Sequence, residues 1–239
     1  MLISLPDLSV IAFLILGAII SYLAKKLTLT AAITGFLCGL IIYLGTGYTG
    51  LVCLTAFFII GTLATAWGRK KKKHLEKRGD DTKRKAGQVL ANGGAAALFA
   101  LLAIVFPAHQ GLFIVMLAAS LASATSDTLS SELGMLYGKR FYNCLSWKKE
   151  ASGLDGVVSI EGTLAGLAGA TIIAIIYAVG IQLNNLFFVI IIAGMAGNFA
   201  DSLFGATLER KNFLNNDGVN FISILIAAGI AGIFYLCIN

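Results

Sequence analysis

Two aspartates near the ends of apolar runs, Asp127 and Asp201, are the residues of this 239-residue chain best suited to chemistry. Ionisable side chains within or beside membrane segments are costly, so they normally face a protein interior or a water-filled cavity where a partner offsets that cost. Around these two, the polar residues fall into four clusters. The first, Asp81 to Gly94, carries Arg84, Gln88 and Asn92 at every fourth position, which predicts one polar stripe along a helix. The second, Ser123 to Gly134, puts Ser123, Asp127 and Ser131 on one helical face and Thr128 and Glu132 on a neighbouring one. Asp127 and Glu132 then stand about 140° apart, so Asp127 is expected to meet a carboxylate from another segment rather than share an ion with Glu132. The third cluster, Leu154 to Gly166, contains Asp155, Gly156, Ser159, Glu161, Gly162 and Thr163. A glycine-containing loop feeding a helix N-terminus offers bare N–H groups and a positive dipole end, which suit phosphate. Gly162, Gly166 and Gly169 equally suit close helix packing. In the fourth cluster Gly197, Asp201 and Gly205 lie one turn apart, and Asn216, Asp217 and Asn220 open the last apolar run. Ser159, and either Asn216 or Asp217, have a structural alternative as helix caps.

Carboxylates without clustered His or Cys suit a hard cation such as Mg²⁺, which commonly bridges phosphate oxygens and keeps several waters. Basic groups and helix N-termini on the same face suit nucleotide phosphates. Together they fit phosphoryl transfer at a membrane surface, resting on positioning and charge neutralisation. His74 and His109 lie outside every cluster, so neither is read as a ligand or base. Cys38, Cys53, Cys144 and Cys237 lack metal-like spacing, and three of them sit in apolar runs as small apolar residues.

The elements that must position these residues follow from composition. A mean hydropathy of +0.87, with 58% hydrophobic and 13% charged residues, excludes a soluble domain. Apolar runs at Leu8–Ala24, Leu29–Leu44, Leu51–Trp67, Val89–Phe106, Leu112–Ser126, Ile160–Ile181, Leu186–Ala206 and Val219–Ile238 approach or reach the length of a membrane crossing. All 18 Lys and Arg residues fall in four segments: Lys25–Lys26, Arg69–Lys85, Lys139–Lys149 and Arg210–Lys211. Each follows an odd-numbered run, so the positive-inside rule puts these segments in the cytoplasm and both termini outside. Lys25 and Lys26 follow the first apolar run rather than precede it, which marks a retained helix rather than a signal peptide. The net charge of +6 borders membrane helices without interleaved aromatic residues, which points to anionic lipid headgroups and away from nucleic acid. The expectation is an all-α polytopic membrane protein of about eight transmembrane helices. It forms a single membrane domain over 1–239, with a solvated basic cytoplasmic loop at 68–86 and a second cytoplasmic loop at 135–158, in the cell (inner or plasma) membrane with its active site facing the cytoplasm.

Asp127-Thr128-Leu129-Ser130-Ser131-Glu132-Leu133-Gly134, Val158-Ser159-Ile160-Glu161-Gly162-Thr163-Leu164-Ala165-Gly166, Asp201-Ser202-Leu203-Phe204-Gly205-Ala206-Thr207 and Leu214-Asn215-Asn216-Asp217, with Gln88-Val89-Leu90-Ala91-Asn92-Gly93, run in order through residues 84–220. They resemble the motifs of the membrane family that includes plant and cyanobacterial phytyl-phosphate kinase and transmembrane protein 19, the domain of unknown function family 92. More distantly, Asp127, Gly134, Gly138-Lys139 and Glu161-Gly162-Thr163 are similar to the pattern of CTP-dependent polyprenol kinases and CDP-diacylglycerol synthases. The loop Ser152-Gly153-Leu154-Asp155-Gly156 departs from the family's Gly-Thr-Glu/Asn-Gly run.

The resemblance implies CTP-dependent phosphorylation of a prenyl monophosphate, such as phytyl, geranylgeranyl or farnesyl phosphate, to the diphosphate. Asp127 and Asp201 would hold Mg²⁺, with Glu132 and Glu161 orienting ligands or nucleotide. Arg84, Gln88, Asn92, Lys139, Gly156, Ser159, Gly162, Thr163, Asn216, Asp217 and Asn220 would form the phosphate and base sites. The expected partners are the lipid-phase substrate, a nucleoside triphosphate and membrane lipids; the oligomeric state is open. A lipid-alcohol kinase, a cytidylyltransferase, or a secondary transporter coupled through Asp127 and Asp201 are the alternatives. Transporter sites lie near the bilayer midplane at repeated broken helices, whereas these carboxylates gather at span ends and no internal repeat is evident.

Overall fold

A computed structural model describes residues 5–68 and 83–238; the basic run Arg69–Arg78 read as a solvated loop lies outside them. The described residues form helices α1 (Leu5–Leu23), α2 (Leu29–Ala66), α3 (Ala86–Val105), α4 (Gln110–Tyr137), α5 (Ile160–Gly180), α6 (Leu186–Phe204) and α7 (Asn216–Ile238). A 3-10 turn at Pro107–His109 leads into α4, and a π turn at Gly205–Glu209 extends α6. Two-residue strands β1 (Tyr142–Asn143) and β2 (Val157–Val158) pair antiparallel. Among the described residues six helices are long and apolar enough to cross a membrane, and α1 is a shorter apolar helix.

At 38 residues α2 would reach about 57 Å as a straight rod, nearly twice the roughly 30 Å hydrocarbon core. It folds back instead. Gly47, at φ 65° and ψ −153°, breaks the helix in a conformation glycine adopts without a Cβ penalty. Leu27, just before α2, clusters with Ala31, Ala32 and Phe58 from its far half. Gly61 lies against Arg84, whose backbone pairs with Leu27. Both ends of α2 therefore sit at one level, while Gly45 at the reversal packs on the Ala100 carbonyl and accepts a hydrogen bond from Gln110 Nε2 at 3.0 Å. Counting its two arms, the described chain has eight apolar arms, as the eight runs predict.

Helix α4 is the hub, packing against α2, α3, α5, α6 and α7, whereas α1 packs mainly on α2. In its span 67% of the apolar window is buried, against 33–44% in the others. The residue types explain this: Ala118, Ala119, Ser120, Leu121, Ala122, Ser123, Ala124, Thr125 and Ser126 are all buried, and all but Leu121 are small, so neighbours approach from every side. The Ser120 and Thr125 hydroxyls stay compatible with an apolar interior by bonding back to the helix, to the Leu117 and Leu121 carbonyls at 2.7 Å each. Alternating helix directions bring the end of α1, both ends of α2, the starts of α3, α5 and α7 and the ends of α4 and α6 to one end of the bundle. Every described Lys and Arg lies at that end.

Candidate functional site

At this same end a cavity of about 1790 Å³ is lined by the second arm of α2, the start of α3, the last third of α4, the loop before α5, the end of α6 and the start of α7. It brings together Arg84, Gln88, Asn92, Asp127, Glu132, Gly156, Ser159, Asp201, Asn216, Asp217 and Asn220. Glu161, Lys139, Gly162 and Thr163 lie outside its lining. Glu161 accepts the Lys139 backbone N–H at 3.4 Å, and Gly162 faces the Ser130 carbonyl and the Gly134 Cα of α4. For Gly162, Gly166 and Gly169 the structure shows the close helix packing.

Arg84 is not on the helical stripe expected for it. It precedes α3 in a bridge to the segment before α2: Arg84 N–H donates to the Lys26 carbonyl at 2.9 Å, and Thr28 N–H donates to the Arg84 carbonyl at 3.1 Å. This pairing fixes its backbone. Burial pulls its guanidinium below the ordinary range, and the Glu132 carboxylate works in the opposite direction. One turn into α3, Gln88 Oε1 accepts the Lys85 N–H at 2.9 Å, and Asn92 Nδ2 donates to the Gln88 carbonyl at 2.9 Å. The helix start is thus closed by its own polar side chains.

Asp127 comes from α4 and Asp201 from α6, and both line this cavity. Beside them Asn198, a residue that sequence reasoning does not single out, is buried and donates through Nδ2 to Ser126 Oγ at 2.9 Å and Ser130 Oγ at 2.7 Å. It does carry a signal: Asn198 lies three residues before Asp201, on the same face of α6. Ser126 and Ser130 flank Asp127 on α4, so this triple ties the helix segments that carry the two aspartates. Gly166 of α5 closes the node from the third side.

The loop that departs from the family pattern is held from below. Gly156, at φ 72°, faces the backbone of Ala206 in the π turn so closely that a side chain has no room. Arg210 donates from Nε to the Asp155 carbonyl at 2.7 Å and pairs with Glu150 at 2.6 Å. That pair holds the Glu150 carboxyl below its ordinary value. Cys144 donates to the Ser202 carbonyl at 3.3 Å, and burial pushes its thiol up, which makes it a packing residue rather than a ligand. Ser159 caps α5 by accepting the Gly162 N–H at 3.1 Å. The cap of α7 is neither Asn216 nor Asp217 but Asn215, whose Oδ1 accepts the Gly218 N–H at 2.9 Å. Asn216 and Asp217 instead line the cavity, with Asp217 beside Gly87 of α3.

The charge of the described lining is unbalanced. Among the described residues it includes Lys26, Lys83 and Arg84 against Asp127, Glu132, Asp155, Asp201, Glu209 and Asp217. Among the described residues no three His, Cys, Asp or Glu side chains converge into a metal cage. Asp127 and Asp201 offer one carboxylate from each of two helices, a chemistry that suits a Mg²⁺ ion keeping waters and substrate oxygens better than a metal held by protein alone.

The sequence profile of the family described as integral membrane protein DUF92 matches residues 12–228. The chain is 40% identical over 202 residues to an uncharacterized membrane protein of Methanocaldococcus jannaschii, covering 83% of this chain and 81% of that one. It is 32% identical over 223 residues to Protein VTE6, chloroplastic, of Arabidopsis thaliana, covering 87% of this chain and 65% of that one. A Synechocystis uncharacterized membrane protein is 34% identical over 200 residues, covering 81% and 76%. No solved structure matches. The chain belongs to the DUF92 family of integral membrane proteins.

Proposed function

We propose that this DUF92 protein is a membrane phosphotransferase that moves the γ-phosphoryl group of CTP onto a prenyl monophosphate, giving the prenyl diphosphate and CDP. One observation carries the reading: a single cavity at the Lys- and Arg-rich end of a membrane bundle gathers Asp127 and Asp201 from different helices together with Arg84, whose backbone is held by its bridge to Leu27. The excess of carboxylates would repel a nucleotide unless a divalent cation came with it. Asp127 and Asp201 would hold Mg²⁺, which when bound neutralises phosphate oxygens. Arg84 and Lys26 supply cationic donors, and Asn216, Asp217 and Asn220 supply hydrogen-bonding groups from the start of α7.

In the reaction an oxygen of the prenyl phosphate attacks the γ-phosphorus of CTP, the bond from that phosphorus to the β,γ-bridging oxygen breaks, and CDP leaves with the electron pair. The acceptor oxygen is already anionic, so no strong general base is needed, in keeping with a described cavity lining without histidine. The one-sided Lys and Arg distribution supports a cytoplasmic position for this end of the bundle. A cavity at the bundle end, rather than its middle, favours an enzyme over a transporter.

The test is to incubate purified wild type and Asp127→Asn with Mg²⁺, each of the four nucleoside triphosphates, and prenyl alcohols and monophosphates, and to weigh the lipid products. A diphosphate made best with CTP, and reduced by about 100-fold or more in Asp127→Asn, is expected. Product from an alcohol, or cytidine retained on the lipid, would replace the reading with an alcohol kinase or a cytidylyltransferase. No lipid product at all, with uptake into proteoliposomes that Asp127→Asn abolishes, would replace it with a transporter.

A further inference from the structure

Between α4 and α5 the chain builds a small rigid hairpin whose tip has no use in the cavity. Asn143 organises it: its Oδ1 accepts the N–H groups of Leu145 and Ser146 at 3.0 Å each, and its Nδ2 donates to Glu150 at 3.2 Å. Its backbone carbonyl accepts the Trp147 N–H at 2.9 Å, and its own N–H donates to the Lys148 carbonyl at 2.9 Å. The turn forces Trp147 to φ 54°, a left-handed conformation that is unfavourable for a bulky residue. The hydrogen bonds of the turn hold that conformation, yet it leaves Trp147 71% exposed, and Leu145 beside it is 48% exposed. Neither lines the cavity. The tip carries Lys148 and Lys149, and Lys139 and Arg140 precede it.

The hairpin is tethered at both ends to the membrane end of the bundle, starting five residues after α4 ends at Tyr137 and returning through β2 to the start of α5. At the end of α4, exposed Tyr137 accepts a hydrogen bond at 2.7 Å from exposed Trp67, which follows α2. Exposed Trp and Tyr at span ends mark the depth where headgroups meet acyl chains. We infer that the Leu145–Lys149 tip is an interfacial anchor: Trp147 and Leu145 enter the headgroup layer of the membrane in which the bundle sits, and Lys148 and Lys149 hold anionic lipid headgroups around them. An exposed apolar pair beside two cations is complementary to an anionic lipid surface. Because Glu150 and Arg210 join this hairpin to the π turn after α6, the anchor also sets the height of the loop that lines the cavity.

The chain has two tryptophans, so Trp67→Phe leaves Trp147 as the sole reporter. The full chain carrying that change is reconstituted in nanodiscs of phosphatidylcholine and phosphatidylglycerol, with bromines placed high or low on the acyl chains. The expected result is a loss of about half the Trp147 emission with bromines high on the chain, less with bromines low, and weak quenching by aqueous iodide. Lys148→Glu with Lys149→Glu should remove most of the bromine effect. If Trp67→Phe does not fold, subtracting the Trp147→Phe signal from wild type isolates the same residue. Full iodide quenching without bromine quenching would put the tip in water and overturn the inference; quenching by neither would mean that protein covers the tip, and would overturn it equally.

Discussion

Gly166→Ala is the most revealing single change at the node behind the two aspartates. An added Cβ would lie 2.7 Å from Ser126 Oγ and 2.8 Å from Asn198 Nδ2, and closer still to Ser130 Oγ. To reach ordinary contact at 3.4 Å, the amide must retreat by about 0.6 Å, and it cannot do so while bonded to both hydroxyls. Overpacking a tight core costs about 1–3 kcal/mol. Losing two interhelical hydrogen bonds within a membrane bundle adds about 0.6 kcal/mol each. The expected destabilisation is therefore about 2–4 kcal/mol, measured as the shift in a reversible unfolding equilibrium in mixed micelles. Gly229→Ala is the control, since nothing lies within 4 Å of the position its added methyl would take, and it should be neutral or mildly stabilising. Adding Ser130→Ala to Gly166→Ala removes the atom that the methyl meets first, and should recover about 1 kcal/mol relative to additivity. If Gly166→Ala matched Gly229→Ala, the claim that this node sets the approach of α4, α5 and α6 would fail.

Two further changes address the loop. Glu150 has its folded-state value lowered by Arg210, so its contribution is present above the ordinary carboxyl value of 4.5 and is lost as pH falls through the lower folded value. Acid-active proteolysis between about pH 5 and 3 should therefore cut the 139–158 loop of wild type progressively faster, while Glu150→Gln is cut readily across that range without a pH step. Gly156→Ala combines a left-handed backbone with a collision against Ala206. Such strain costs about 1–3 kcal/mol before the clash is counted, and the expected result is a cleavable loop on an otherwise intact bundle, read by limited proteolysis beside an unchanged helical circular dichroism signal.

What can be read from the residues, and what cannot, divides along a physical line. The eight arms are legible because hydropathy and one-sided positive charge are summed over many residues and tolerate errors at the ends. The reversal at Gly47 is legible as a gap between two runs, though not as a single-residue break in an otherwise continuous helix. Asp127 and Asp201 stand out because charge in a span is rare, and the fold puts both on one cavity. The spacing of four misplaces Arg84, because it suggests a helix where the backbone is extended and paired with Lys26 and Thr28. A cross-chain bridge of that kind leaves no periodicity. The Asn198 node and the capping role of Asn215 escape notice for a similar reason: a neutral amide costs too little to draw attention in a sequence, and its importance appears only when its partners are known.

The same contrast bears on how the cavity would work. Among the described residues its cations come from the segments that enter α2 and α3, and its carboxylates come from α4, α6, α7 and the loops beside them. The two groups meet only because α4 is built almost entirely of small residues in its buried stretch, so that helices carrying opposite charge can stand around one axis. Arg84 cannot cancel the carboxylates alone: it is drawn toward Glu132, and burial already works against its charge. On the proposed reading, the carboxylate excess among the described lining residues would admit an anionic nucleotide as part of a cation complex, so the affinity for nucleotide should rise with Mg²⁺ and vanish without it. Asp201→Asn removes one of those charges. Should that variant bind free CTP more tightly while losing the Mg²⁺ dependence, the carboxylates act as the ion's ligands; should it bind no differently under either condition, they belong to the packing of α6 and the site must be sought elsewhere.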